Sequence, residues 1–165
     1  MPMEDSPPVN PYFVGVDGCR GGWLAVRLTS AGRAEAQAFA AWAEVRQAYA
    51  DAAAIAVDMP IGLVDFGRRP CDAAARQRLG RRGSSVFSPP RRPMLGFAAY
   101  ADANDWGKAQ GRDGGGGVSK QAWNLARNCR EIDDDLCPDD QDRIVEAHPE
   151  LSFQELAGGS CPPPK

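Results

Sequence analysis

Two spacings of apolar residues run through the chain, and they predict strands first and helices later. Tyr12 to Asp17 is a short apolar run closed by an acid, and Gly21 to Leu28 is a second run joined to it through Gly18-Cys19-Arg20. Two such runs around a glycine-bearing turn predict a β-hairpin. Arg33 to Phe39 alternates small apolar with polar residues after Ser30-Ala31-Gly32, which predicts a third antiparallel strand. The period then changes: from Ala40 to Ala50 the residues Trp42, Val45 and Tyr49 recur at helical spacing. A β-branched run, Ala54 to Val57, follows and is closed by Asp58-Met59-Pro60. A helix between two strands is the crossover that parallel pairing requires, and Pro60 cannot continue the ladder.

Farther along, Asp72 is placed to cap a short helix over Ala73 to Leu79, and Gly80 to Pro93 is a loop rich in Gly, Ser, Pro and Arg. Met94 to Asp105 has mixed helical character, and Gly114 to Gly117 is flexible punctuation before Ser119, a good N-cap. Ala122, Leu125, Cys129, Ile132 and Leu136 then repeat at spacings of three and four, predicting one helix with one apolar stripe. Arg143 to Ala147 reads as a brief last strand, and Pro149 opens a final helix with Glu150 in its first turn and Phe153 and Leu156 on one side. The pattern is that of an α/β domain over residues 12–159, with residues 1–11 and 160–165 as flexible termini.

Composition narrows the class without naming a function. The chain has 165 residues, 43% of them hydrophobic and 25% charged, which is ordinary for a single globular domain with one core. No stretch approaches a membrane span, and Met1 to Asn10 lacks the basic-then-apolar pattern of an export signal, so the expected location is cytoplasmic, with no membrane partner. The cysteines Cys19, Cys71, Cys129, Cys137 and Cys161 are odd in number and contain no Cys-x-x-Cys pair, which argues for reduced thiols over a zinc site or disulfide framework. Net charge is −3, yet Arg68 to Arg92 holds eight arginines against one acid, while Glu131 to Asp142 holds seven acids and no base.

Chemistry concentrates at the strand ends. In Val14-Gly15-Val16-Asp17 and Ile55-Ala56-Val57-Asp58 the branched residues share one parity and the acids the other. On neighbouring parallel strands, about 4.8 Å apart, both carboxylates project from the carboxyl edge where open α/β sheets bind ligands. Two carboxylates held together repel unless a cation separates them, and hard oxygen donors suit Mg²⁺ or Mn²⁺. A pair of such ions serves phosphodiester hydrolysis. Glu146, which ends the RIV strand, is the expected third ligand; its alternative is a solvated strand-end acid. His148, the only histidine, is read as general base, metal ligand or helix cap. Gly18, Gly21 and Gly22 around Arg20 fit either a phosphate-cradling turn or a tight hairpin. Arg81, Arg82, Ser84, Ser85, Arg91 and Arg92 are expected to bind phosphate and Phe87 to stack a base, a solvated basic loop being the alternative.

Five ordered blocks, VGVDGCRGGWLAV, AVDMPIGL, RPCDAAARQRLGRRGSSVFSPPRRP, SKQAWNL and VEAHPELSF, together resemble a predicted RNase H-like nuclease family catalogued as a domain of unknown function, over roughly Phe13 to Gly159. The resemblance implies three antiparallel strands extended by parallel ones, with Asp17 and Asp58 matching the metal-site acids and Glu146 the strand-borne acid of the last block. Members of that family usually continue into further helices, one carrying another active-site acid, so the resemblance implies that this chain is C-terminally truncated. The function expected is that of an Mg²⁺- or Mn²⁺-dependent nuclease or phosphodiesterase, its partners nucleic acid or another phosphate-bearing substrate, with a homodimer left open. Two alternatives stand beside it. One is a nucleotide-binding phosphotransferase of the actin or sugar-kinase type; the other is a catalytically inactive nucleic-acid- or phosphate-binding module.

Overall fold

Alternation along the first strands decides the architecture of half the molecule. The computed structural model describes residues 11–159, so Cys161 and the predicted flexible termini, Pro11 apart, lie outside the described residues. These separate into two compact units, residues 11–59 with 134–147 and residues 60–133 with 148–159.

In the first unit β1 (Tyr12–Cys19), β2 (Gly22–Thr29) and β3 (Ala34–Phe39) form an antiparallel meander, and α1 (Trp42–Ala48) carries the chain to β4 (Ala54–Asp58). The strand β5 (Ile144–Glu146) completes a five-stranded mixed sheet in the order β3-β2-β1-β4-β5, with β1, β4 and β5 parallel. Val14, Val16, Trp23, Ala25, Ile55, Val57 and Ile144 are buried on one face, as period-two alternation requires. The helix α1 packs there through buried Trp42 and Val45, with the rings of Trp23 and Trp42 5.3 Å apart. Lacking a side-chain cap at Ala41, α1 begins with the amides of Ala40 and Ala41 donating to Glu44 Oε2 at 2.9 and 3.4 Å. The opposite face exposes Phe13, Leu24, Val26, Leu28 and Val145.

The hairpin turn explains its glycines. Gly21 has φ +92°, a conformation that glycine adopts without cost. At Gly22 a Cβ would stand 2.0 Å from the carbonyl oxygen of Phe39, so the missing side chain makes room for the neighbouring backbone. The turn is accounted for by the hairpin alone.

In the second unit the helices are α2 (Pro70–Leu79), α3 (Tyr100–Ala109), α4 (Lys120–Asn124), α5 (Ala126–Asp133) and α6 (Pro149–Leu156). Met94, Ala103, Val118 and Ala122 form a buried cluster against which Phe87, Phe97, Tyr100, Trp106 and Trp123 pack. Three expectations from the sequence are corrected here. Asp72 is not the cap of α2: Pro70 opens the helix from extended Arg69, and Asp72 lies in the first turn, buried and 3.6 Å from Arg69. The helical reading of Met94 to Asp105 splits, because Phe97 and Ala99 are extended between a short 3-10 turn and α3. The single helix after Ser119 is two, broken at Leu125, whose amide reaches back only three residues to the Ala122 carbonyl. Ser119 does cap, its Oγ accepting from the Ala122 amide at 3.1 Å. The loop from Gly80 to Pro93, for which the sequence predicts nothing regular, contains a 3-10 turn at Gly80–Ser85.

Candidate functional site

Asp17 and Asp58 are cross-strand partners in the parallel pairing of β1 with β4, and both are exposed. The pairing runs without a bulge from Phe13 opposite Ala54 to Asp17 opposite Asp58, so the equal position of the acids in their strands becomes equal position in space. Cross-strand partners share a face, which separates them by about 5 Å at Cβ. Because Val16 and Val57 are buried on one side, the aspartates lie on the other, at the carboxyl end of both strands.

Glu146 stands differently. Its partner in the β4–β5 pairing is Val57, one residue short of Asp58. Alternation therefore assigns Glu146 to the Val57 face and not to the face of the two aspartates. Among the described residues no group of three or more His, Cys, Asp or Glu is gathered to hold a metal ion. The pairing of β1 with β4 brings two acids together; the shift of one residue in β5 leaves the third aside.

His148 belongs to the second unit, at the N-cap position of α6. Its side chain makes no capping hydrogen bond; ring Nδ1 lies 3.2 Å from Glu150 Oε2, and its carbonyl accepts from the amide and hydroxyl of Ser152. Arg20 is exposed at the β1–β2 turn.

The arginine-rich segment is largely occupied within its own unit. Arg69 pairs with Asp72, and Arg78 with Glu155. Arg76 donates to the Val86 carbonyl at 2.8 Å and to Ser88 Oγ at 3.0 Å. Arg92 spans Asp133, at 2.7 Å, and Asp65, at 3.1 Å; the bond to Asp133 raises its pKa further. Arg68, Arg81 and Arg82 form no ion pair among the described residues, and Ser84 beside them is exposed. Ser85 is half-buried, with its hydroxyl oxygen buried and unbonded.

Arg91 is the exception in kind. Only 5% of its surface is exposed, and no carboxylate among the described residues pairs with it. Its Nη2 donates to the Gly116 carbonyl at 2.6 Å, its guanidinium carbon lies 4.9 Å from the centre of the Trp106 ring, and burial lowers its pKa. It lines a small cavity together with Arg68, Arg69, Asp72, Ser88 and Gly115. The sequence pattern offered Arg91 only as one basic loop residue among several; burial and the glycine run meeting it come from the fold.

No helix among the described residues is long and apolar enough to cross a membrane. A family model described as "Protein of unknown function (DUF429)" matches residues 15–165. No curated protein and no solved structure matches the chain.

Proposed function

The chain belongs to the DUF429 family of proteins of unknown function, and we propose that it is a divalent-metal-dependent nuclease or phosphodiesterase of RNase H-like architecture whose ion is held by Asp17 and Asp58. One observation carries this reading: the two acids are direct partners on adjacent parallel strands at the carboxyl edge of the sheet. The sheet order, three antiparallel strands extended by two parallel ones, accords with the fold that the resemblance implies.

The donor set fits one ion. Mg²⁺ keeps several waters and is commonly bound through one or two carboxylates with substrate phosphate completing the shell, so two aspartates suffice for it. A second ion would need further acids, and among the described residues none joins the pair. When bound, the ion supplies Lewis-acid polarisation of a phosphoryl oxygen and a more acidic water. The protein's own contribution is positional. Pairing along both strands fixes the two carboxylates relative to each other, and the buried face beneath them, with Val16 and Val57, resists their separation.

The test combines binding and turnover. Calorimetry with Mn²⁺ should show uptake by the wild type and none by Asp17→Asn, and labelled single-stranded, duplex or junction nucleic acid should be cut only by the wild type. Absence of uptake overturns the metal site. Uptake with no cleavage of any substrate would replace hydrolysis by a non-catalytic binding module.

A further inference from the structure

We propose that the cavity beside Arg91 is a binding site for one phosphate-type oxyanion. The inference stands on the second unit alone and does not depend on the aspartate pair. A guanidinium stays protonated even when buried, so a charge withdrawn from water requires an opposite charge or a complete set of acceptors. Arg91 has neither: the Gly116 carbonyl satisfies Nη2, whereas Nη1 is buried with no hydrogen-bond partner. The other buried arginine of this unit shows the contrast, since Arg69 has Asp72 beside it at 3.6 Å.

The surroundings select an anion. Three arginines, Arg68, Arg69 and Arg91, line the cavity against the single acid Asp72, so the wall keeps an excess of positive charge. Ser88 adds a hydroxyl. Glycine lets the backbone close around the guanidinium: a Cβ at Gly107 would meet Arg91 Nη2 at 2.9 Å, and one at Gly115 would meet the Gly67 carbonyl at 2.4 Å. The cavity has a volume of about 20 Å³, somewhat above the roughly 10–15 Å³ that one water needs. That size excludes a nucleotide base, and exposed Arg68 and Ser88 in the lining leave the cavity open to solvent on one side, where an anion can enter. Several donors around a small volume favour phosphate, with four acceptor oxygens, over a carboxylate with two.

The experiment uses the full chain in EDTA, so that divalent ions play no part. Inorganic phosphate, glycerol 3-phosphate and acetate are titrated separately by calorimetry, with melting temperature as a second readout. Phosphate is expected to bind and raise the melting temperature, and acetate to do neither at the same concentration. Glycerol 3-phosphate binding as well as phosphate would identify the site as one for the phosphoryl end of a larger molecule; inorganic phosphate alone would identify the free ion. Exposed Arg68→Gln should weaken phosphate binding about tenfold, the effect of losing one charge-assisted hydrogen bond. Arg91→Met should abolish it without lowering the melting temperature in phosphate-free buffer, since an apolar replacement removes an uncompensated charge. No phosphate binding by the folded wild type, equal binding of acetate, or unchanged affinity in both variants would overturn the proposal.

Discussion

Arg46 grips Asp140 with both terminal nitrogens, Nη1 to Oδ2 at 3.0 Å and Nη2 to Oδ1 at 3.1 Å, and so ties α1 to the turn that precedes β5. The same turn is held by Arg143, 3.6 Å from Asp140, and by the Cys137 amide, which donates to Asp140 Oδ2 at 3.1 Å. Arg46 also reaches Asp135 at 3.0 Å, and Trp42 Nε1 donates to the same carboxylate at 2.8 Å. This network, centred on buried Asp140, delivers β5 to the edge of β4, where the Ile55 amide donates to the Arg143 carbonyl and the Ala147 amide to that of Val57, both at 2.8 Å.

Asp140 therefore makes stability depend on acidity. Burial by itself would raise its pKa, but the Cys137 amide and thiol, Arg46 and Arg143 outweigh burial and hold it below the usual carboxylate range. A carboxyl depressed in the folded state contributes stability above its unfolded pKa, near 3.9, and loses it as pH falls toward the folded value. Asp140→Asn is expected to cost about 2 kcal/mol at pH 7, and the gap to wild type should narrow below about pH 4. Urea denaturation at pH 7 and at pH 3 measures both; a gap that is constant across that range would contradict the assignment.

The aspartate pair should behave oppositely with and without metal. Like charges directly opposite each other destabilise a sheet by a few tenths to about 1 kcal/mol. Asp58→Asn is thus expected to be slightly more stable than wild type in EDTA, and to lose the rise in melting temperature that Mn²⁺ gives the wild type. Thermal scans with and without Mn²⁺ check the reversal.

Glu146 supplies a third prediction from register. Its partner is Val57, so Glu146→Gln should change Mn²⁺ affinity by no more than about 0.5 kcal/mol, the range of substitutions away from a site. Asp17→Asn measured alongside sets the scale. A loss comparable to that of Asp17→Asn would mean that Glu146 reaches the ion after all.

Gly22→Ala probes the hairpin. A Cβ there falls 2.0 Å from the Phe39 carbonyl oxygen and 3.0 Å from the Ala40 Cα, and neither is a flexible side-chain end. The substitution should cost about 2 kcal/mol or more through backbone displacement. Chemical denaturation would show it, and unchanged stability would contradict the close approach of β2 to the end of β3.

Much of the first unit could be read from neighbouring residues. The alternation from Tyr12 to Leu28, the helical spacing of Trp42 and Val45, and the β-branched run before Asp58 each state a local preference that the fold keeps. The matching parity of Asp17 and Asp58 is legible for the same reason, since a strand's faces are written two residues apart. The break at Leu125 was not legible, because Ala122, Ala126, Cys129 and Ile132 keep their apolar rhythm through it. The arginines from Arg68 to Arg92 read alike as loop charges, yet their partners, Asp133, Glu155 and the Gly116 carbonyl, lie 25 to 77 residues away.

Sequence by itself determined the strands and helix of the first unit and the shared parity of Asp17 and Asp58, because φ/ψ preference and side-chain period are properties of consecutive residues. Only the tertiary structure decided that Asp17 meets Asp58, that Glu146 stops one residue short of them, and that Arg91 is enclosed without a carboxylate. Register and burial are set by hydrogen bonds and packing between segments distant along the chain, and a single-residue shift of β5 costs nothing in local propensity while carrying Glu146 to the other face of the sheet.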